Sequence, residues 1–240
     1  MLIASRNSFA VKFPITAKNY VQSGLVAMWD GIENAGWKKH DANATVWKDL
    51  IGNRDLICTN VTWTDTMAVF SGNGSAFRNE SESSAMFYAN RTMETCFRTN
   101  GGRFNNQDVV NIGTRDAGAL GWWRMCVSGY SDRIIVANGR NVSNCVMVVY
   151  NSDELILGKT FALSSNTSGI TGAWWNGTAA TTSGIEYRTT GTYGECIGAA
   201  NQTARFFSGA VMCVRCYERQ LTVDELLANY SVDKIRFNLP

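Results

Sequence analysis

Apolar and polar positions alternate along much of this chain, most clearly from Gly209 to Tyr217. There Ala210, Met212 and Val214 fall on one side and Val211, Cys213 and Arg215 on the other, the period of a half-buried strand. The period then changes. Thr222 is a good N-cap and Glu225 follows three residues later, a capping box that satisfies two orphan donors. Leu226 and Tyr230 fall at i and i+4, so one face of a short helix is apolar. The stretch from Phe206 to Phe237 therefore predicts a last strand closed by one capped helix.

Upstream, short apolar runs recur between turn residues. Strands are expected at Gly24 to Trp29, Leu56 to Val61, Met67 to Phe70, Arg91 to Thr99, Val109 to Ile112 and Gly121 to Val127. They continue at Ile134 to Ala137, Cys145 to Tyr150, Leu155 to Ser164, Gly172 to Trp175, Glu186 to Arg188 and Glu195 to Ile197. Gly72-Asn73-Gly74 and Asn100-Gly101-Gly102 read as turns. Many short strands at near-regular spacing predict a sandwich or barrel. With no Pro-rich or Gly/Ser-rich linker, the parse is an N-terminal arm or extra strand over 1–22 and one domain over 23–240. Phe9 to Phe13 could be a short strand in that arm, limited by Pro14 to an edge or end. It would dock either on a neighbouring subunit or on its own domain.

Charge and cysteine content narrow the partners. A net charge of +2 over 240 residues gives no strong pull toward nucleic acid or an anionic membrane. No apolar run is long enough to span a bilayer. The first residues lack a basic region followed by an apolar one, so they are not a signal peptide; either the chain is made in the cytoplasm and not secreted by that route, or a leader has been removed. Seven cysteines form no framework; Cys213 and Cys216, three apart on a strand, face opposite sides and make a poor zinc or redox half-site. They read as buried thiols suited to a reducing cytoplasm. N-x-S/T sequons begin at Asn43, Asn60, Asn73, Asn79, Asn90, Asn141, Asn166, Asn176, Asn201 and Asn229, and read as a by-product of an Asn-, Ser- and Thr-rich β surface.

The closing stretch carries a resemblance. Gly209, Val214, Arg215, Tyr217, Arg219, Leu221, Thr222, Glu225, Asn229 and Tyr230 match the end of laminin-G-like, concanavalin A-like domains of the kind seen in bacteria and their phages. Gly24 to Asp30 resembles the opening strand of that family, and Trp47-Lys48-Asp49-Leu50 the loop after it. Val69-Phe70-Ser71-Gly72 resembles its F-D-G-S turn, with Ser71 in place of the Asp. Trp174-Trp175-Asn176-Gly177 is similar to its Y-V-N-G hairpin. The resemblance implies an all-β, two-sheet jelly-roll sandwich with a short C-terminal helix. It also brings calcium into question, for which Asp49, Asn53 and Asp55 are the candidate ligands; Arg54 among them counts against the ion, and no cofactor is expected.

Catalysis is not expected. Glycoside hydrolysis needs two carboxylates on one face. The close pair, Glu80 and Glu82, lies in a polar stretch without a strand pattern, and a test of that reading is loss of activity in Glu80→Gln or Glu82→Gln. His40, the sole histidine, sits in a polar loop, and no Gly-rich phosphate loop is present. Binding is better marked. Sugars stack their C–H faces on aromatic rings while polar groups fix orientation. Alternation puts Trp122 and Arg124 opposite the core-facing Trp123, Met125 and Val127. The hairpin resemblance puts Trp175 in the core and Trp174 on the opposite, concave face, with Asn176, Tyr130 and Tyr187 as further candidates. Adjacent Trp residues also serve plain packing on both faces of a sandwich.

Two functions follow as expectations. One is a non-catalytic recognition module binding a glycan or surface protein at a cell or virion surface. The other is a structural or decoration protein of a phage virion or similar assembly, docked through its N-terminal arm to other virion subunits or as a homo-oligomer.

Overall fold

The computed structural model describes residues 15–79, 91–100, 107–112, 123–128, 133–137, 145–149, 156–166, 169–179, 194–200 and 205–240. Their strands are β1 (Leu25–Asp30), β2 (Val46–Trp47), β3 (Leu56–Thr64), β4 (Met67–Asn79), β5 (Arg91–Thr99), β6 (Gln107–Ile112) and β7 (Trp123–Ser128). They continue as β8 (Arg133–Ala137), β9 (Cys145–Val149), β10 (Lys159–Asn166), β11 (Gly169–Trp175), β12 (Thr178–Ala179), β13 (Gly194–Ile197) and β14 (Ser208–Tyr217). One helix, α1 (Val223–Arg236), follows the last strand, and a single 3-10 turn, Ala17–Asn19, precedes the first. The expected parts that fall outside these residues are Phe9–Phe13, the Glu80–Glu82 segment and the strand at Glu186–Arg188.

Every described strand pairing is antiparallel, and the hydrogen bonds join all the strands into one connected sheet, in the order β12-β11-β10-β5-β14-β4-β13-β6-β7-β8-β9. β1 adds to β14, and β3, with β2 beside it, adds to β4. The sheet curls. Ala173 of β11 and Val127 of β7 stand far apart in that order, yet both belong to one apolar cluster with Trp29, Phe70, Phe97 and Val214. That cluster is the inner core. On the opposite face of β5, β10 and β14 a second cluster, including Tyr20, Cys96, Met212, Tyr217 and Leu226, lies beneath α1.

The period-2 reading of β14 holds at both ends and slips in the middle. Val211 and Val214 both face the inner core, and Met212 and Cys213 both face the helix. The pairing register with β5 jumps between Val211 and Cys213, so Met212 is a bulge. One extra residue reverses the facing of everything before it, which local alternation does not reveal. Cys213 and Cys216 do face opposite sides.

The turn expected at Gly72-Asn73-Gly74 is instead part of β4, which runs through it as one long bent strand. Its partner β3 bulges between Thr59 and Val61, with Asn60 at φ 51° and its side-chain amide donating to the Asn73 carbonyl at 3.2 Å. Gly74 is needed because a Cβ there would collide with the Asn60 carbonyl oxygen.

The helix forms as its sequence predicts. The Thr222 hydroxyl accepts from Glu225 N (3.3 Å) and the Glu225 carboxylate accepts from Thr222 N (2.9 Å). Arg219 grips the same carboxylate with both terminal nitrogens, at 2.8 and 2.6 Å, while its Nε donates to the Ser23 carbonyl. Among the described residues no helix is long and apolar enough to cross a membrane.

Candidate functional site

α1 is fastened to the sheet by buried ionic contacts as well as apolar ones. Arg215 of β14 is fully buried. Its two terminal nitrogens donate to the two oxygens of Asp233 on α1, at 2.7 and 2.8 Å, and its Nε to Glu94 of β5 at 3.0 Å. The Tyr20 ring lies 4.1 Å from the Arg215 guanidinium carbon, and its hydroxyl donates to Asp233 at 2.7 Å. Thr160 of β10 donates to the other Asp233 oxygen at 2.7 Å. Asn229, also buried, donates to Glu94 (2.6 Å) and to the Tyr217 hydroxyl (2.9 Å) and accepts from Val21 N (2.8 Å). A turn further along, Arg236 binds both Asp30 oxygens at 2.8 Å.

The electrostatics follow from burial. Desolvation works against the Arg215 charge, yet Asp233 and Glu94 outweigh it and hold the guanidinium protonated above its ordinary range. Burial pushes the Tyr20 hydroxyl well up, and Asp233 adds to this. Burial likewise raises the Glu94 carboxyl to about 6, against the pull of Arg215. Residues that carry the family resemblance thus act as fasteners of the fold: Arg215, Tyr217, Arg219, Thr222, Glu225 and Asn229 all bond within the chain.

The surface beside this junction holds the hairpin from β11 to β12. Asn176 and Gly177 are its two turn residues, at φ 49° and 78°, which is the Asn-Gly arrangement that suits a tight hairpin. The Asn176 carbonyl-type oxygen accepts from Thr160 N at 3.0 Å, and Asn176 N donates to the Thr160 carbonyl at 2.8 Å. A Cβ at Gly177 would strike Leu227, so α1 presses on this turn. Trp175 faces the inner core and meets Phe161 edge-on at 6.1 Å between ring centroids. Trp174 faces the other way, but onto the outer face of the curled sheet rather than the concave one expected, and that face is not open. It is half-buried against the cluster under α1, with the outer edge of its ring lying over Gly172. Exposed Leu227 and Val223 continue the apolar surface along the helix.

The remaining candidates are placed less fully. Arg124 stands on β7 between Asn111 of β6 and Ala137 of β8, fixed here by register alone. Trp122, Tyr130 and Tyr187 lie outside the described residues. The candidate calcium loop is closed on itself. The two Asp49 oxygens accept from Met28 N, Ile51 N, Gly52 N and Arg54 N, at 2.9 to 3.2 Å. Asp55 accepts from Asp49 N and pairs with Lys48. Oxygens already met by N–H donors do not make a calcium cage. Among the described residues no group of three or more His, Cys, Asp or Glu converges as a metal requires. His40 is exposed in its loop, its Nδ1 3.2 Å from the Ile32 carbonyl oxygen. Sequence reasoning missed the Arg54–Glu195 pair (2.6 Å), which ties the same loop to β13. The acidic and basic partners lie too far apart in the chain for a local pattern to join them.

No family model matches the sequence, and no curated protein matches it. Solved structures do. Trypanosoma rangeli sialidase superposes with a TM-score of 0.68 at 14% identity, over 89% of this chain and 33% of the sialidase chain. The binding domain of botulinum neurotoxin serotype D/C (VPI 5993) gives 0.61 at 10% identity, over 87% and 52%. Botulinum neurotoxin type C, which depends on interaction with two ganglioside molecules to enter cells, gives 0.62 at 8% identity, over 87% and 51%. This chain spans about a third of the sialidase's length. Its curled antiparallel β fold is therefore one that also occurs within a sialidase and within neurotoxin binding domains, at identities that establish likeness of fold alone.

Proposed function

We propose that this chain is a non-catalytic recognition module that binds glycans, built on a jelly roll of the concanavalin A/laminin-G class. The observation that carries the reading is Trp174: a half-buried indole beside α1, held on a hairpin whose turn is pinned to β10, near the outer edge of the sheet. A fixed aromatic face is what a sugar ring stacks on. The likeness to a ganglioside-dependent toxin supports the same ligand class.

Six acidic residues among the described ones support the non-catalytic part. Asp30, Glu94, Asp233, Glu195 and Glu225 each hold an arginine, and Asp49 holds backbone N–H groups. A carboxylate engaged in this way is a poor free acid or base for glycoside cleavage. The sialidase likeness does not carry catalysis with it, because it covers 33% of that enzyme.

The test is a glycan array spanning sialylated and neutral oligosaccharides, followed by titration of the hits with wild type and Trp174→Ala. Loss of one stacking ring should weaken binding about 10-fold, the equivalent of ~1.4 kcal/mol. Binding unchanged by the substitution moves the site away from this hairpin, with Arg124→Ala the next variant. An array without hits removes the glycan reading.

A further inference from the structure

We infer that the buried junction between α1, β5 and β14 is a proton-operated latch: folding takes up protons there, so acid tightens the helix on the sheet and rising pH loosens it.

Asp30, Glu33, Glu94 and Asp233 are buried carboxyls, and the guanidiniums that face them are Arg215 and Arg236. Tyr20 joins the two halves, its ring centroid 4.1 Å from the Arg215 carbon and 5.7 Å from that of Arg236. The other groups facing in are neutral: Thr160 from β10, Cys96 from β5, Cys213 and Tyr217 from β14, and Asn229 from α1. Lys38 contributes its backbone N–H. Fully ionised, the junction holds four negative groups against two positive ones, where charge is poorly solvated. Each bound proton removes one unit of that excess.

Hydrogen bonding shows where the protons go. Both Asp233 oxygens accept two donors each. Glu94 is lopsided: Oε2 accepts from Arg215 and Asn229, while Oε1 is buried without a partner among the described residues. Glu33 is similar, with Oε1 accepting from Lys38 N and Oε2 unpartnered, 4.0 Å from an Arg236 nitrogen. A bare buried carboxylate oxygen is stabilised by protonation.

The direction of the linkage follows. Burial raises Glu94 from an ordinary 4.5 to about 6, and Glu33 moves up as well, through burial and then Asp30. A carboxyl with a raised folded value stabilises the fold fully below its unfolded value, and that contribution disappears as pH climbs through the folded one. For Glu94 the window is pH 4.5 to about 6 and a little beyond. The shift corresponds to about a 30-fold change in the opening equilibrium.

The experiment is urea unfolding at fixed ionic strength from pH 4.5 to 7.5, with hydrogen exchange of the α1 peptide followed in parallel. In wild type the Glu94 contribution should raise the opening constant about 15-fold across that range, half of the full effect because pH 4.5 is the ordinary value itself, and in Glu94→Gln most of the rise should vanish. The latch is overturned if wild type is flat or grows more stable with pH, or if Glu94→Gln keeps the full slope. Should that variant not fold, the carbon-13 shift of the Glu94 carboxyl in wild type decides. A midpoint near 6 supports the latch, and one at or below 4.5 overturns it.

Discussion

Replacing Asp233 with alanine strands four donors at once: two Arg215 nitrogens, the Tyr20 hydroxyl and the Thr160 hydroxyl. The Arg215 charge is not left naked, because Glu94 still holds its Nε at 3.0 Å. The loss is therefore mainly that of unsatisfied buried donors, about 1–3 kcal/mol each, with the rotatable hydroxyls at the low end. About 4 kcal/mol is expected for Asp233→Ala, in the range for breaking one side of a buried pair. For a chain of 240 residues this lowers Tm by about 8–16 °C. Circular dichroism in urea gives the free energy, and calorimetry the temperature. The companion variant, Arg215→Met with Asp233→Leu and Glu94→Gln, should be milder than Asp233→Ala alone, since it removes all three charges of the cluster together. A loss under about 1 kcal/mol in Asp233→Ala, with the urea slope unchanged, would refute a desolvated carboxylate that four groups depend on.

At the acid end the pH dependence should reverse. Arg219 holds the Glu225 carboxyl down at about 2, so its stabilisation is present above the ordinary value of 4.5 and fades as pH falls through about 2. Glu225 is partly exposed, so the effect is modest, about 1 kcal/mol, and an acid titration of Glu225→Gln should lack it. Tyr20→Ala should lower Tm by about 6–12 °C, the equivalent of about 3 kcal/mol, because Tyr20 is buried between two guanidiniums. The native mass of the 1–14 truncation, compared with the whole chain, tests whether that segment assembles subunits: a fall from oligomer to monomer would establish it, and an unchanged mass would exclude it.

What could be read before folding was local. The capping box of Thr222 and Glu225 depends on residues three apart, and it formed as its spacing predicts. β5 begins and ends where its pattern does, at Arg91 and Thr99. What escaped was set by distant partners. Nothing near Arg215 in the chain announces that Glu94 will meet it 121 residues away. The bulge at Met212 is imposed by the register of β5, and β4 passes through Gly72-Asn73-Gly74 because β3 bulges opposite it. Trp174 does lie opposite Trp175, but the face expected to be concave and open is the outer one on which α1 packs, and that depended on where α1 would lie. Asp49 could be named only as a candidate calcium ligand, because composition does not distinguish a carboxylate awaiting a metal from one that gathers its own loop's N–H groups.

Arg236 also donates to the Ile15 carbonyl at 3.3 Å. The segment leading into the domain and the helix leaving it therefore share one corner. A module with its two connections side by side can be spliced into a loop of a host protein without prising the host's strands apart, and it can be circularly permuted through a short joint.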